Sequence, residues 1–336
     1  ETIGKITIKE VNDPEPGPGG LIIAVKACGI CSSDVKMWRR GQRDLRYPRI
    51  LGHEVSGTVM KSRSEGFKEG ERVQIFPGVS CGSCHHCKTG RDNLCSSIRI
   101  IGFSYDGGFA ELMKVPREIV ERGGVNRIPG KLSFEEATLA EPLACCINCV
   151  EKLGLSQEDT VLILGAGTMG LLNIALAKLR GARVIVAEKR AERQEYARLA
   201  GADRVVDANL EDVRAAVQEE TEGRGVDAIV PAFGRGAVSY PVLELLSRGG
   251  RLCLFSGLPT DESAMVIDFN AIHYDEKLIV GAYGCTSRHN RVALGMIEGE
   301  LDLKWFPIKC ITLDEVEEGL RAVEEMRQLK LVIRNR

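Results

Sequence analysis

The run Gly165-Ala166-Gly167-Thr168-Met169-Gly170 lies between the apolar stretch Val161–Leu164 and the apolar segment Leu171–Leu179, an order that leaves a chain little choice of fold. Glycines spaced G-x-G-x-x-G let a strand turn sharply into a helix, bring backbone close to a pyrophosphate and seat the helix on its strand. The helix N-terminus then offers unpaired N–H groups to the phosphate charge. A second strand, Val184–Ala187, ends on Glu188, 18 residues past Gly170, where a carboxylate can hold the ribose hydroxyls of a dinucleotide. The expected contacts are Gly165, Gly167, Thr168, Met169, Gly170 and Glu188, with Arg193 and Tyr283 as further candidates. A carboxylate at 188 repels a 2′-phosphate and favours NAD, but Lys189 and Arg190 could neutralise such a phosphate, so NADP stays open.

Beyond Thr160, short apolar runs alternate with helical stretches. Val161–Leu164, Val184–Ala187, Arg204–Val206, Asp227–Val230, Arg251–Phe255 and Leu278–Val280 read as the buried strands of a six-stranded, doubly wound parallel sheet. A chain of 336 residues exceeds one ordinary core, so a second domain is expected, with a cleft between the two. Residues 1 to about 130 supply it, being rich in Gly, Pro and β-branched runs such as Leu21–Val25. Ser133-x-x-Glu136 is a capping box that opens a helix running towards Glu141-Pro142. Thr312-x-x-Glu315 is another, and behind it Leu313, Val316, Leu320 and Val323 keep helical spacing on a face expected to pack on the first domain.

Forty-five Lys and Arg against 47 Asp and Glu leave a net charge of -2, too small a field to draw in nucleic acid or an anionic membrane. Val161–Ala177 carries no charge, yet three glycines and Asn173 interrupt it, so a strand-turn-helix explains it better than a membrane span. No charged stretch leads into an apolar run at Glu1–Lys5, which gives no sign of a signal peptide and predicts a cytoplasmic enzyme of small molecules. Twelve cysteines would suggest disulfides in a small secreted domain, but four share one loop and Cys145, Cys146 and Cys149 lie in apolar helical sequence. Reduced thiols are expected.

Cys81, Cys84, Cys87 and Cys95 stand as C-x2-C-x2-C-x7-C, a closed tetrahedron of thiolates for structural zinc. The same opening begins an iron–sulfur run, but such runs close as C-x3-C-P, whereas Cys95 comes seven residues on and precedes Ser96. Four thiolates leave His85 and His86 as bystanders. A second cluster mixes chemistries: Cys31, followed by Ser33 and Asp34, and then His53-Glu54, suit a zinc with a solvent-open position. Neighbouring residues on a strand face opposite ways, so His53 and Glu54 cannot both ligate without a local distortion, and Glu141 is an alternative third ligand. Asp34 is placed to hold the second imidazole nitrogen, and Cys28 is expected to pack.

Together, Cys28-Gly29-Ile30-Cys31-Ser32-Ser33-Asp34, Gly52-His53-Glu54-Val55-Ser56-Gly57, the cysteine lobe, Ala140-Glu141-Pro142-Leu143 and the glycine run resemble the zinc-containing medium-chain alcohol dehydrogenases, most closely their sorbitol or polyol branch. The resemblance implies a GroES-like β-rich catalytic domain of residues 1–141 with 285–336 returning to it, and a Rossmann NAD(P)-binding domain of residues 142–284. It implies two zinc ions per subunit, one of them on Cys31, His53 and either Glu54 or Glu141, with Ser33 in a proton relay. It also implies a homodimer or homotetramer. Glu141 in place of a cysteine points to the polyol branch, whereas Tyr283 stands where sorbitol dehydrogenases carry a substrate-facing arginine, which argues against sorbitol itself.

Zinc lowers the pKa of a coordinated hydroxyl, so the expected reaction is hydride transfer between the secondary alcohol of a polyol, sugar-alcohol phosphate or related hydroxy compound and NAD. Residues 36–49 carry six cations against one anion and could greet an anionic substrate or simply be a solvated loop, and Trp38 and Tyr47 could line a pocket or pack. A zinc-independent reductase would need neither Cys31 nor the full lobe. A nucleic-acid-binding finger would need a basic, aromatic face, which Val73–Pro77 and Ile98–Gly102 do not provide.

Overall fold

The computed structural model describes residues 2–42, 45–233, 242–258, 263–264 and 266–335. The chain forms two units, one of Glu1–Ala144, Cys285–Asp302 and Pro307–Arg336, the other of Cys145–Gly284 and Leu303–Phe306. Strands β1 (Leu21–Gly29), β2 (Glu54–Ser62), β3 (Arg72–Ile75), β4 (Gly78–Val79), β5 (Arg99–Ile100), β6 (Leu112–Val115) and β7 (Val125–Arg127) lie in the first unit. Strands β8 (Thr160–Leu164), β9 (Arg183–Glu188), β10 (Arg204–Asp207), β11 (Val226–Pro231), β12 (Leu246–Leu254) and β13 (Leu278–Gly281) lie in the second. The first unit regains β14 (Ile308–Ile311) and β15 (Lys330–Arg334) from the end of the chain.

In the first unit the described residues form a seven-stranded sheet in the order β14-β15-β1-β2-β3-β7, with β6 pairing to β1. Strand β1 is central and buried on both faces, which is why it reads as an unbroken apolar run, Leu21-Ile22-Ile23-Ala24-Val25. Leu21, Ile23, Val25, Val55, Val73, Ile75 and Met113 make its main core. Each contributes roughly 1.5–3 kcal/mol by leaving water. At the far end of β1, Gly29 lies opposite Glu54 of β2 on one side and Val332 of β15 on the other. The chain then leaves the sheet through Ile30 and Cys31 into the helix Ser32–Arg40, so three strands and a helix start meet at one place.

The helix Val316–Glu324 packs as its spacing predicts: Val316 and Leu320 join Ile30, Val35, Trp38, Leu331 and Ile333 in a second core. The helix expected from Ser133 to Glu141-Pro142 is two helices, Phe134–Thr138 and Ala140–Leu153. The capping box is present, with Glu136 N donating to Ser133 Oγ at 3.1 Å and Ser133 N to Glu136 Oε2 at 2.8 Å. Pro142 sits in the first turn of the second helix, where its missing N–H costs nothing, so it tolerates a helix start rather than marking an end.

The second unit is a parallel sheet in the order β10-β9-β8-β11-β12-β13. Chain order reverses between β8 and β11, the switch point at which doubly wound sheets take their ligands. Five strands start within a residue or so of expectation. Strand β12 begins at Leu246 rather than Arg251 because the Ser247–Gly250 segment is accommodated as an irregularity against β11. Among the described residues no helix is long and apolar enough to cross a membrane.

Candidate functional site

Cys31 is the N-cap of the helix Ser32–Arg40, and Asp34, three residues on, accepts from the Cys31 backbone N–H at 2.9 Å. Asp34 is fully buried, and its other oxygen reaches Gly52 N at 3.4 Å and His53 Nδ1 at 3.2 Å. The imidazole contact has the distance of an ion pair but is off the line of a hydrogen bond. One carboxylate thus joins the helix start to the loop before β2. Gly52 is required in that loop: its φ is +95°, and a Cβ would strike the Phe109 ring and the Cys28 sulfur, the latter at 2.8 Å.

Sulfur of Cys31, a ring nitrogen of His53 and an oxygen of Glu54 come within 4.8 Å of one another. The expected conflict between adjacent residues does not arise, because β2 begins at Glu54 and His53 precedes it in the loop, outside strand alternation. With Nδ1 turned to Asp34, Nε2 is the nitrogen left for an ion, the arrangement metal-bound histidines adopt. Ser33 Oγ lies 3.3 Å from that Nε2. Burial opposes protonation of His53, yet the negative charge of the adjacent Asp34, with Cys31 adding to it, raises it well above the ordinary imidazole value. Burial pushes the Cys28 thiol well up, and the Asp34 and Glu54 charges push the same way, so Cys28 packs as expected.

Glu141 is not in that three-residue set; it stands half-buried at the start of the helix Ala140–Leu153. A residue the sequence reading did not single out is present instead: Lys330 of β15, 2 % exposed, whose Nζ forms an ion pair with Glu54 Oε2. The signal was there, since a lysine inside the apolar run Leu329-Lys330-Leu331-Val332-Ile333 must find a buried partner, but sequence alone does not say which.

The four lobe thiols also lie within 4.8 Å of one another, none in a disulfide. Cys81 and Cys84 sulfurs stand 3.9 and 3.5 Å from that of Cys87, bracketing the ~3.8 Å edge of a tetrahedron with zinc–sulfur bonds of ~2.3 Å. Donors already face the sulfurs: Cys84 N reaches Cys81 Sγ and Cys81 N reaches Cys95 Sγ, each at 3.3 Å. Hydrogen bonds from the Ser83 backbone and hydroxyl, and from the Cys84 backbone, pull Cys81 down to about 5. Burial pushes Cys87 up to about 11. His85 and His86 stay outside the thiol set.

In the second unit Gly165 and Gly167 form the turn after β8, and Thr168, Met169 and Gly170 open the helix Thr168–Leu179 with Gly167 as its N-cap. Glu188 ends β9, 7 % exposed, and both its oxygens face backbone: Ala166 N at 2.7 Å, Lys189 N at 2.7 Å and Arg190 N at 2.9 Å. The carboxylate therefore braces the glycine turn. Arg193 reaches alongside Gly167, and the Tyr283 carbonyl lies near Asn148 Nδ2 at 3.5 Å while its side chain is half exposed.

The basic segment is partly committed elsewhere. Arg39 forks onto Glu324 and stacks on Trp38, Arg49 pairs with Asp106, and Trp38 is buried between Arg39 and Arg321, so it packs rather than lining a pocket. Tyr47 is spent on a 3.1 Å hydrogen bond to the Met37 carbonyl. Arg43 and Asp44 lie outside the described residues. A cavity of about 670 Å³ between Phe134, Cys310 and Arg334 includes none of the candidate ligands.

Residues 17–123 match the alcohol dehydrogenase GroES-like domain and residues 168–299 the zinc-binding dehydrogenase domain. The chain is 37% identical over 286 residues to L-threonine 3-dehydrogenase of Pyrococcus furiosus, covering 83% of this chain and 79% of that protein. It is 31% identical to sorbitol dehydrogenase of Bacillus subtilis, covering 98% of this chain and 94% of that one. A zinc-binding dehydrogenase of Sinorhizobium meliloti, solved bound to NADP, superposes with a TM-score of 0.91 at 32% identity over 99% of this chain and 97% of that one. Two sheets of the expected kinds, a four-thiol lobe, a glycine turn at a switch point and these matches together make the chain an NAD(P)-dependent oxidoreductase of the zinc-containing medium-chain alcohol dehydrogenase family.

Proposed function

We propose that the protein transfers hydride between a secondary alcohol and NAD, using one zinc held by Cys31, His53 and Glu54 and a second, structural zinc held by Cys81, Cys84, Cys87 and Cys95. The observation that carries the reading is the convergence of Cys31, His53 and Glu54 within 4.8 Å, with Asp34 behind the imidazole. Bound zinc would supply a Lewis acid that lowers the pKa of a substrate hydroxyl, and bound NAD the hydride acceptor. Asp34 fixes the His53 ring so that Nε2 faces the reacting centre. Ser33, beside that nitrogen, would relay the alcohol's proton, accepting it on Oγ while its own hydroxyl proton passes on to the ribose hydroxyls and solvent. Glu141 serves outside the ligand set.

Residues 1–141 and 285–336 are assigned to the alcohol and residues 142–284 to the dinucleotide, limits close to those of the two compact units, which divide at Ala144 and give Leu303–Phe306 to the second. NAD is preferred because three backbone N–H groups hold Glu188 in place, and a 2′-phosphate would meet that fixed negative charge. The substrate class is a polyol or a related hydroxy compound with a polar group beside the carbinol, a property shared by the substrates named in sorbitol and L-threonine 3-dehydrogenase. With Arg39 and Arg49 already paired, an anionic substrate rests on fewer cations than the segment carries. Edge strand β13 and the helix Phe269–His273 leave Leu278 and Phe269 at 53% and 81% exposure, which supports a homo-oligomer formed through this edge.

A screen of sugar alcohols, their phosphates and hydroxy acids, following NADH and NADPH absorbance with and without a chelator, tests the reading. Turnover of a polyol or hydroxy acid that disappears on chelation is expected. Full turnover after both metals are stripped would refute it. In the same assay Glu188→Ala should weaken NAD about tenfold more than NADP, and equal effects would remove Glu188 from cofactor choice.

A further inference from the structure

Lys330 is a cation on a strand whose next three residues, Leu331, Val332 and Ile333, are all buried. Burying a lysine is costly unless a partner meets it, and here the partner is Glu54, itself 1 % exposed. Nζ also lies 3.5 Å from the Ile30 carbonyl. The pair crosses β1 at Gly29, where a Cβ would fall on the Glu54 carboxylate and 2.9 Å from Nζ. Three strands therefore build one cradle: β1 supplies the gap, β2 the carboxylate and β15 the ammonium. The carboxylate they hold is one of the three groups that converge with Cys31 and His53.

Charge gives the cradle a purpose beyond cohesion. With Cys31 as thiolate, the anions Cys31, Asp34 and Glu54 gather around His53, Glu141 acts on the same region, and Lys330 is the cation set against Glu54. Lys330 thus removes one unit of negative charge from a centre that carries an excess of it. We propose that Lys330 is a positioning residue that pins one oxygen of Glu54 across Gly29 and cancels part of its charge, so that an ion at Cys31 and His53 meets a single Glu54 oxygen and keeps more of its own positive charge. This rests on the reading of Cys31, His53 and Glu54 as ligands.

The test uses the full chain with cobalt(II) in place of zinc, reading the visible ligand-field spectrum and the pH profile of kcat/KM. Lys330→Met should change the cobalt bands and move the alkaline-favouring pKa of kcat/KM up by about one unit, since a nearby cation is lost. Lys330→Arg should restore both towards the starting values, and Glu54→Gln should make a further Lys330→Met change silent in the spectrum. A Lys330→Met protein that folds with unchanged bands and unchanged pH profile overturns the proposal. If Lys330→Met does not fold, the double variant Glu54→Gln/Lys330→Met decides: folding with the spectrum of Glu54→Gln supports it, and failure to fold, or a different spectrum, overturns it. Failure of the underlying ligand reading looks different, because the unaltered chain would then show cobalt bands that Cys31→Ser leaves untouched.

Discussion

The two metal candidates of the first unit are opposites in construction. The lobe draws all four ligands from Cys81–Cys95, uses one chemical type, and has hydrogen-bond donors of its own loop facing its sulfurs. The other centre draws Cys31 from a helix start, His53 from a loop, Glu54 from β2 and its counter-charge from β15, nearly 300 residues further along the chain. Its hydrogen bonds run through the Asp34 and Ser33 side chains, and its residues are mostly buried. A uniform closed set needs only to hold an ion, so local sequence can specify it. A mixed set tunes charge and leaves room for a substrate, so it needs partners that only a folded sheet can deliver.

Breaking one centre and sparing the other gives the sharpest contrast. Cys31→Ser should lower kcat/KM about a thousandfold, the loss of several kcal/mol of Lewis-acid stabilisation, while elemental analysis finds the lobe metal retained. Retention of full activity would dissolve the distinction. Cys95→Ser should do the reverse: activity per folded molecule changes by less than about tenfold, but the thermal midpoint falls by roughly 5–10 °C. The loosening should reach the helix Ser287–Gly299, because Asp92 inside the lobe accepts from Ser287 N at 3.3 Å, and faster hydrogen exchange there checks it. The smallest effect concerns the lobe's own thiols. In metal-stripped protein at pH 7, Cys81, at about 5, is almost wholly thiolate, whereas Cys87, at about 11, is almost wholly thiol. Alkylation mapped by mass spectrometry should therefore label Cys81 first and gain Cys87 only as pH rises towards 11; equal labelling at pH 7 would show that the lobe does not differentiate its ligands.

Much of the architecture is legible in the sequence itself. Strand, glycine turn, helix and acid in order predicted β8, the helix Thr168–Leu179 and β9, because each step is governed by contacts within a few residues. Both capping boxes formed where Ser133 and Thr312 place them, for the same reason. What the sequence leaves open or misreads shares the opposite cause. For Trp38 it allows pocket lining or packing, and packing is what the helix Val316–Glu324 and Arg321, distant in sequence, impose. His53 and Glu54 looked incompatible because the start of β2 could not be fixed to one residue.

The sequence alone determined two local chemistries, a dinucleotide turn and four clustered thiols, whose spacing along the chain is their geometry, and it offered Cys31, His53 and the alternatives Glu54 and Glu141 without choosing between them. Tertiary structure alone decided what surrounds the mixed centre. Asp34 behind the imidazole, Gly29 as a gap and Lys330 against Glu54 depend on register between strands far apart in the chain. Register is settled by burying the whole sheet at once, so no local stretch encodes it.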